Sequence, residues 1–269
     1  MGIYFVVALL PEARPLIDFF NLKLLQANPF KIYRDTDKFL IISGVGKARS
    51  AKAVEFLHTF FGGERNQIWI NIGIAGHAER HLAEGVLAHK ITDEVTRKSW
   101  YPPIVINPPC PTGSLLTVEQ PCTQYDGSFF YEMEASGFYD MATRFSTAEL
   151  VQCFKVISDN RQSSRKVTAR LVERLIGGNL KIIEELVQKM IAFKEKLPKV
   201  QVSPHEFQKF LGRWHFTVSE QHRLRRFLKR LGTLQPKEEI FSEIGFLHKS
   251  KDVLHFLEDK INSLPIELQ

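Results

Sequence analysis

The chain has 269 residues, of which 44% are hydrophobic, 25% charged and 11% aromatic, a composition typical of a globular protein large enough to bury a core. Its formal net charge of +6 is compatible with an anionic ligand or nucleic acid but specifies neither. Because no apolar run approaches the roughly 18 residues of a membrane span, we expect no membrane segment. Three cysteines without CxxC spacing favour a reducing, cytoplasmic compartment and exclude a disulfide scaffold.

Strand-like and helix-like segments alternate along the first two thirds of the chain. Short apolar runs followed by proline, glycine or polar residues predict strands, and the first of them is better explained as a core strand than as a signal peptide. These runs are residues 3–10, 38–46, 67–76, 85–95 and 151–160. Apolar residues spaced three to four apart predict helices over residues 11–25, 48–61, 134–145 and 165–197.

Two segments interrupt this alternation. Residues 101–128 are rich in proline and predict a loop, with one short strand at 114–120. The chain after Pro198 contains two to four predicted helices and the basic cluster RLRRFLKR, residues 223–230. We favour a solvated helix face for this cluster, at roughly two to one over a phosphate-binding patch. The sequence therefore predicts two domains, residues 1–198 and 199–269.

Alternating strands and helices predict an α/β domain, whose ligands bind at the carboxyl ends of the parallel strands. Polar or glycine-rich groups occur at these predicted ends: Glu12, residues 43–46, residues 73–76, Glu134 and residues 158–160. Each has a structural explanation when taken singly. The carboxylates would complement helix N-termini, Asp159 would cap a turn, and the glycines would make tight turns.

Familiar cofactor and metal motifs are not present in the sequence. The segment SGVGKA lacks the GxxxxGK[ST] pattern of a phosphate-binding loop and the third glycine of a dinucleotide fingerprint. His77 and His81 are four residues apart but have no accompanying HExxH or cysteine ligand. We therefore expect neither a metal nor an organic cofactor.

Together, the segments ALLPEA, SGVGKARSA, INIGIAG, YEMEASGFYDMA and FKVISDN resemble the family of purine nucleoside phosphorylases and methylthioadenosine/adenosylhomocysteine nucleosidases. EMEA, followed some two dozen residues later by ISD, is the most specific part of this resemblance, which covers roughly residues 1–195. It implies a three-layer α/β sandwich with a mixed central sheet, followed here by a helical C-terminal extension. The implied activity is cleavage of the N-glycosidic bond of a purine-type nucleoside.

The resemblance also implies roles for individual residues. Asp159 would be the general acid that protonates the departing purine at N7, which requires a raised pKa. Glu134 would bind the ribose 2′ and 3′ hydroxyls, since a carboxylate accepts two hydrogen bonds, and would favour positive charge on the sugar. Met133 would pack against the sugar, and Glu12 would orient the attacking water. Ala75 and Gly76 would also line the substrate site.

Two alternatives to hydrolysis are retained. Phosphorolytic members use phosphate as a co-substrate, and Arg14 lies near the first turn, but the remaining residues of a phosphate site have no match. Glu12 therefore favours water. A non-catalytic nucleoside sensor, with the basic tail contacting nucleic acid or protein, is the other alternative. The resemblance further implies a homo-oligomer, with a dimer favoured.

The chain departs from the family in two places and adds a tail. Residues 102–128 are shorter than the family's segment, and the aromatic residue that stacks on the base has no clear match among Trp100, Tyr125, Phe129 and Phe130. Ile74 stands where methylthioadenosine hydrolases often have serine. We predict that residues 199–269 pack against the core or a partner subunit near the pocket.

Overall fold

The computed structural model describes residues 2–63, 65–122, 124–125, 129–163, 167–197, 204–234 and 240–263. The chain divides into two compact units, Met1–Lys194 and Glu195–Gln269. The domain boundary predicted at residues 198 and 199 lies outside the described residues. Within the described part of the chain, no helix has both the length and the apolar character needed to cross a membrane.

The first unit is built on one mixed sheet. Its strands are β1 (Ile3–Val7), β2 (Lys23–Gln26), β3 (Lys31–Arg34), β4 (Lys38–Ile42), β5 (Ile68–His77), β6 (Gly85–Asp93), β7 (Ser99–Trp100), β8 (Thr112–Thr117), β9 (Phe129–Glu132) and β10 (Val151–Asn160). Along the sheet they follow the order β10-β6-β8-β9-β5-β1-β4-β3-β2, with β7 beside β6.

The strand pairings place several strand ends at one edge of the sheet. β1 runs parallel to both β4 and β5, and β5 runs parallel to β10. Because β10 also pairs with β6, the strands β5, β10, β6, β8 and β9 close into a ring, from which β1, β4, β3 and β2 extend as an open wing. The carboxyl ends of β10, β5, β1 and β4 therefore lie next to one another, in that order.

Helices cover both faces of the sheet. They are α1 (Leu10–Phe19), α2 (Lys47–Phe60), α3 (Ala135–Ala142), α4 (Ala169–Gly178) and α5 (Leu180–Lys196). α1 packs with α4, whereas α2 packs with α3. The side chains of Tyr4 and Val6 join the core beneath α2 and α3, and the intervening Phe5 points to the opposite face. The three-layer α/β sandwich with a mixed sheet is confirmed.

The second unit has its own apolar core. Its described helices are α6 (Pro204–Arg213), α7 (Val218–Leu234), α8 (Ile240–Glu243) and α9 (Ser250–Ser263). Phe207, Phe210, Trp214 and Phe216 are buried within this unit, against side chains of α7, α8 and α9. Two arginines of the basic cluster on α7 interact locally: Arg223 pairs with Glu258 at 3.3 Å, and the Arg225 guanidinium lies 4.4 Å above the Phe207 ring.

Some predicted segment limits were wrong. The first strand ends at Val7 rather than residue 10. The helix predicted over residues 11–25 ends at Phe19, because Asn21 adopts φ of 52°, and Leu24 lies in the edge strand β2. The helix predicted to reach residue 145 is the shorter α3, which ends at Ala142.

Candidate active site

Glu12 lies in the first turn of α1, directly after β1, and is buried. Its Oε2 accepts hydrogen bonds from the backbone N–H groups of Ala8 and Leu9 at 2.9 and 2.8 Å. Its Oε1 accepts the N–H of Ile74 on β5 at 3.2 Å. The carboxylate thus completes its own helix turn and also joins two neighbouring strands. Burial, opposed by Lys155 and reinforced by Glu134, raises the pKa of Glu12 to about 7.

Lys155 is a fully buried cation in the middle of β10. Its Nζ lies 3.0 Å from Glu132 Oε2 and 3.7 Å from Glu134 Oε2. Burial opposes the charge of Lys155, but the carboxylates of Glu132, Glu134 and Glu12 outweigh that effect and raise its pKa. The lysine is therefore a permanent ammonium among three carboxylates, and the cluster carries excess negative charge when all four groups are ionised.

Gly73 on β5 leaves the space in which two of these groups meet. A β-carbon at this position would lie 2.9 Å from Glu12 Oε1 and 3.3 Å from Lys155 Nζ. Gly73 also pairs with Lys155 in the register of β5 and β10. The missing side chain therefore allows Glu12 to approach the cluster that contains Glu134.

Glu134 immediately precedes α3 and is also buried. Its Oε1 accepts the backbone N–H of Gly46, in the turn between β4 and α2, at 2.9 Å. Burial raises the pKa of Glu134, Lys155 opposes this effect, and Glu132 adds to it. Glu132 in turn accepts the N–H groups of Glu134 and Ala135 through Oε2, at 2.9 and 2.8 Å, which fixes the start of α3.

Asp159 lies near the end of β10, four residues after Lys155. A shift in the register of β10 against β5 falls between Ile157 and Asp159, so the strand bulges just before the carboxylate. Ser158 Oγ donates to Asp159 Oδ1 at 2.5 Å, and the Tyr125 hydroxyl donates to Oδ2. Burial raises the pKa of Asp159, which favours its protonated form.

The remaining predicted site residues lie between or beside these groups. Gly76 pairs with Asp159 across the β5–β10 ladder, and Ala75 precedes it. Ser158 Oγ also lies 3.3 Å from the carbonyl oxygen of Ala75. Met133 is half-buried next to Glu134. Glu12 and Glu134 thus meet around Lys155, while Asp159, Ala75 and Gly76 lie further along the same pair of strands.

Of the four aromatic candidates for stacking on a base, Tyr125 is the one that contacts Asp159. Its ring lies 5.3 Å from that of Tyr131, and its carbonyl accepts Arg161 Nη2 at 2.5 Å. Phe130 belongs to the buried core, and Trp100 lies under the ammonium of Lys98 at 4.5 Å.

Two site residues escaped sequence reasoning. Lys155 lies in the motif FKVISDN and Glu132 in YEMEA, but the family resemblance assigns roles only to Asp159, Met133 and Glu134 of these motifs. A lysine inside an otherwise apolar strand is the sequence signal for a buried ion pair. A buried ammonium is costly unless a carboxylate lies beside it, so such a lysine predicts carboxylate partners.

The described residues contain no group of three or more histidine, cysteine or carboxylate side chains suited to a metal ion. His77 takes part in a turn instead: its Nδ1 accepts the backbone N–H groups of Glu79 and Arg80 at 3.0 and 3.1 Å.

No protein-family model matches the sequence, and no curated protein matches it. Solved structures do match the fold. A 5′-methylthioadenosine/S-adenosylhomocysteine nucleosidase from Helicobacter pylori is 12% identical, with a TM-score of 0.59 over 70% of this chain and 98% of that one. The corresponding nucleosidase from S. pneumoniae is 16% identical, with a TM-score of 0.59 over 71% and 100% of the two chains.

A futalosine hydrolase from Helicobacter pylori is similar as well: it is 12% identical, with a TM-score of 0.58 over 70% of this chain and 97% of that one. At these identities the similarity is one of fold. The nucleoside phosphorylase-like fold predicted from the sequence is therefore confirmed.

Proposed function

We propose that this chain is a nucleosidase that uses water to cleave the N-glycosidic bond of a purine-type nucleoside. One observation carries the proposal: the buried Glu134 lies 3.7 Å from the buried Lys155 Nζ, the buried Glu12 interacts with the same ammonium, and Asp159, whose pKa is raised, follows on the same strand. Asp159 follows Lys155 by four residues on β10, so the acid and the carboxylate cluster share one strand. A nucleoside placed along these strands has its base at Asp159 and its ribose at the carboxylates.

Glu134 binds the ribose in this proposal. The side chain is held by the Gly46 N–H, and a carboxylate has enough lone pairs to accept both ribose hydroxyls as well. As the glycosidic bond breaks, the sugar acquires positive charge, and the excess negative charge of the Glu12, Glu132, Glu134 and Lys155 cluster stabilises it.

Asp159 acts as the general acid. It donates its proton to N7 of the purine, and the electron pair of the glycosidic bond goes to the base, which leaves as the neutral purine. Burial favours the protonated acid before the reaction. Ser158 Oγ donates to Asp159 Oδ1 and so helps to orient the carboxyl group.

Glu12 acts as the general base. It accepts a proton from the water that attacks the anomeric carbon, and free ribose is formed. A base with a pKa of about 7 is well matched to this step near neutral pH. Lys155 positions the carboxylates and keeps them from repelling one another. No cofactor enters this scheme.

Charge favours water over phosphate as the nucleophile. A phosphate dianion at the anomeric carbon would meet the excess negative charge of the cluster. Arg14, considered above as a phosphate ligand, is exposed and pairs with Glu173 at 2.7 Å. Phosphorolysis transfers the glycosyl group to phosphate. It would need a cation near the anomeric carbon to offset the repulsion between the phosphate and the carboxylate cluster.

Two exposed apolar residues favour a homodimer. Leu9, beside Glu12, is 42% exposed, and Val45, in the turn that contacts Glu134, is 37% exposed. We propose that a second copy of the chain covers them in the cytoplasm, where the three free cysteines stay reduced. Sedimentation of the wild type and of Val45→Asp tests this part: a monomer in both would contradict it.

The activity is tested by measuring free base released from methylthioadenosine, adenosylhomocysteine, futalosine, adenosine and inosine, with and without phosphate. We expect release from at least one nucleoside at a rate that phosphate does not change. Release that requires phosphate would make the enzyme a phosphorylase. Thermal stabilisation by a nucleoside that is never cleaved would instead support a binding module.

A further inference from the structure

A buried carboxylate that the proposed mechanism does not use lies at the end of β6. Asp93 Oδ1 accepts the backbone N–H and the hydroxyl of Thr96 at 2.9 and 3.1 Å. Lys47 Nζ donates to both oxygens of Asp93, at 3.1 and 2.9 Å, and the Ser136 hydroxyl donates to Oδ2 at 2.9 Å. The side chain of Asp93 therefore joins three segments: its own turn, the start of α2 and the start of α3.

The pair formed by Lys47 and Asp93 is ionised. Burial alone would raise the pKa of Asp93, but the hydrogen bond from Lys47 and those from its other donors outweigh this effect and lower the pKa to about 2. The hydrogen bond to Asp93 also raises the pKa of Lys47. A second carboxylate, Glu119, lies 3.4 Å from Lys47 Nζ, but its side chain is 59% exposed against 5% for Asp93. Asp93 is therefore the stronger partner of the ammonium.

The residues next to this pair hold Glu134 in place. The N–H of Gly46, which directly precedes Lys47, donates to Glu134 Oε1 at 2.9 Å. Ser136, the second ligand of Asp93, lies two residues after Glu134 in the first turn of α3. Because Lys47 and Ser136 bind the same carboxylate, Asp93 ties the turn that donates to Glu134 to the helix start that carries Glu134.

Close backbone packing supports the same arrangement. A β-carbon at Gly137 would collide with the backbone carbonyl of Lys47, so α3 approaches the start of α2 only because this residue has no side chain. Beside it, the backbone N–H of Ser136 donates to Thr117 Oγ1 at 3.0 Å. The first turn of α3 is thus held by side chains from the ends of two strands, β6 and β8.

We propose that Lys47 and Asp93 are positioning residues for Glu134: their ion pair sets the Glu134 carboxylate where it accepts both ribose hydroxyls. The inference rests on the nucleosidase function proposed above and assigns recognition of the sugar to a contact outside the site. The two residues act through Glu134 rather than by touching the substrate. Hydrogen bonds weaken steeply when their angle departs from linearity, so a carboxylate that accepts from two adjacent hydroxyls must be held firmly. Loosening the start of α3 therefore costs one of the two hydrogen bonds.

The test measures how strongly the chain prefers adenosine over 2′-deoxyadenosine, which lacks one of the two hydroxyls. Calorimetric affinities are measured in an Asp159→Asn background, so that the proposed acid does not consume the ligands. We expect Lys47→Met to lower the affinity ratio by roughly 10-fold, the scale of one hydrogen bond to a charged group. Ser136→Ala removes a single hydroxyl and leaves the ion pair in place, so it folds even where Lys47→Met does not. It should lower the ratio by roughly threefold.

Lys98→Met is the matched control. It breaks a surface pair with Asp140, at 2.7 Å, which also reaches α3 but in the last turn of that helix. The affinity ratio should stay unchanged, because a general loss of stability weakens both ligands alike, whereas a displaced Glu134 weakens adenosine more. In a Glu134→Gln background, Lys47→Met should have no further effect on the ratio.

The outcomes separate this inference from the proposed function. A preference for adenosine that neither Lys47→Met nor Ser136→Ala reduces would overturn the inference alone. A preference that depends on Lys47, in a chain whose wild type cleaves no nucleoside, would support the inference and contradict the nucleosidase. Equal affinities for the two ligands before either change, or binding of neither ligand, would contradict both the ribose role of Glu134 and this inference.

Discussion

Replacing Glu12 by glutamine should change the pH dependence of stability in a way that follows from its burial. The pKa of Glu12 is raised from 4.5 to about 7 in the folded protein. An acid with a raised folded pKa favours folding while it is protonated, so its contribution is fully present below pH 4.5 and is lost as pH rises through 7. At about 1.4 kcal/mol per pKa unit, the wild type loses about 3 kcal/mol between pH 4 and pH 8.

Glutamine does not ionise, so the variant avoids this loss. It does lose hydrogen-bond geometry, because one amide nitrogen replaces an oxygen that accepts from the N–H groups of Ala8 and Leu9 or from that of Ile74. That penalty is nearly independent of pH and cancels when two pH values are compared. The free energy of unfolding of Glu12→Gln, minus that of the wild type, should therefore increase by about 3 kcal/mol from pH 4 to pH 8.

Urea unfolding monitored by tryptophan fluorescence provides the assay. A Trp214→Phe background leaves emission from Trp69 and Trp100, which both belong to the first unit. Glu55→Gln, the same substitution at an exposed carboxylate of α2, is the control for general effects of pH. A Glu12→Gln difference that stays constant from pH 4 to pH 8 would refute the assignment of a raised pKa to this buried group.

Three further predictions concern the same cluster. Lys155→Met leaves buried carboxylates without their counter-ion and should lower the free energy of unfolding by about 3–5 kcal/mol, measured with urea; a loss below 1 kcal/mol would contradict the pairing. The pH profile of kcat/KM should differ between the wild type and Glu12→Gln, because glutamine cannot ionise with a pKa of about 7, and profiles of identical shape from pH 5 to pH 8 would exclude Glu12 as the base. Gly73→Ala places a methyl 2.9 Å from Glu12 Oε1 and should reduce kcat/KM by at least ~10-fold, whereas Gly177→Ala, with nothing within 4 Å, should leave it unchanged.

The sequence predicted the elements that carry continuous apolar runs. β5 and β10 are buried along nearly their whole length, so their composition alone distinguishes them from the surrounding loops. The edge of the sheet was harder to predict. Leu24 and Leu25 continue the apolar spacing of α1, yet they lie in β2 and are 57% and 45% exposed. Apolar residues spaced three to four apart predict the buried face of a helix. That prediction fails here because these apolar residues are exposed on an edge strand.

The candidate site divides in the same way. Glu12, Glu134 and Asp159 belong to local motifs at strand ends, where a short sequence is sufficient to single them out as candidates. Lys155 joins the cluster through contacts that no local pattern encodes. The register of β5 and β10 sets it opposite Gly73, and the end of β9 brings Glu132 Oε2 within 3.0 Å of its Nζ.

Base release by Asp159→Asn tests the central claim most directly. The wild type and the variant are compared in phosphate-free buffer with the nucleoside that the wild type cleaves fastest, and Asp140→Asn serves as a surface control. We predict that the wild type releases free purine, that Asp159→Asn does so about 10²–10⁴-fold more slowly, and that Asp140→Asn matches the wild type. Purine release at the wild-type rate by Asp159→Asn would contradict the proposed mechanism.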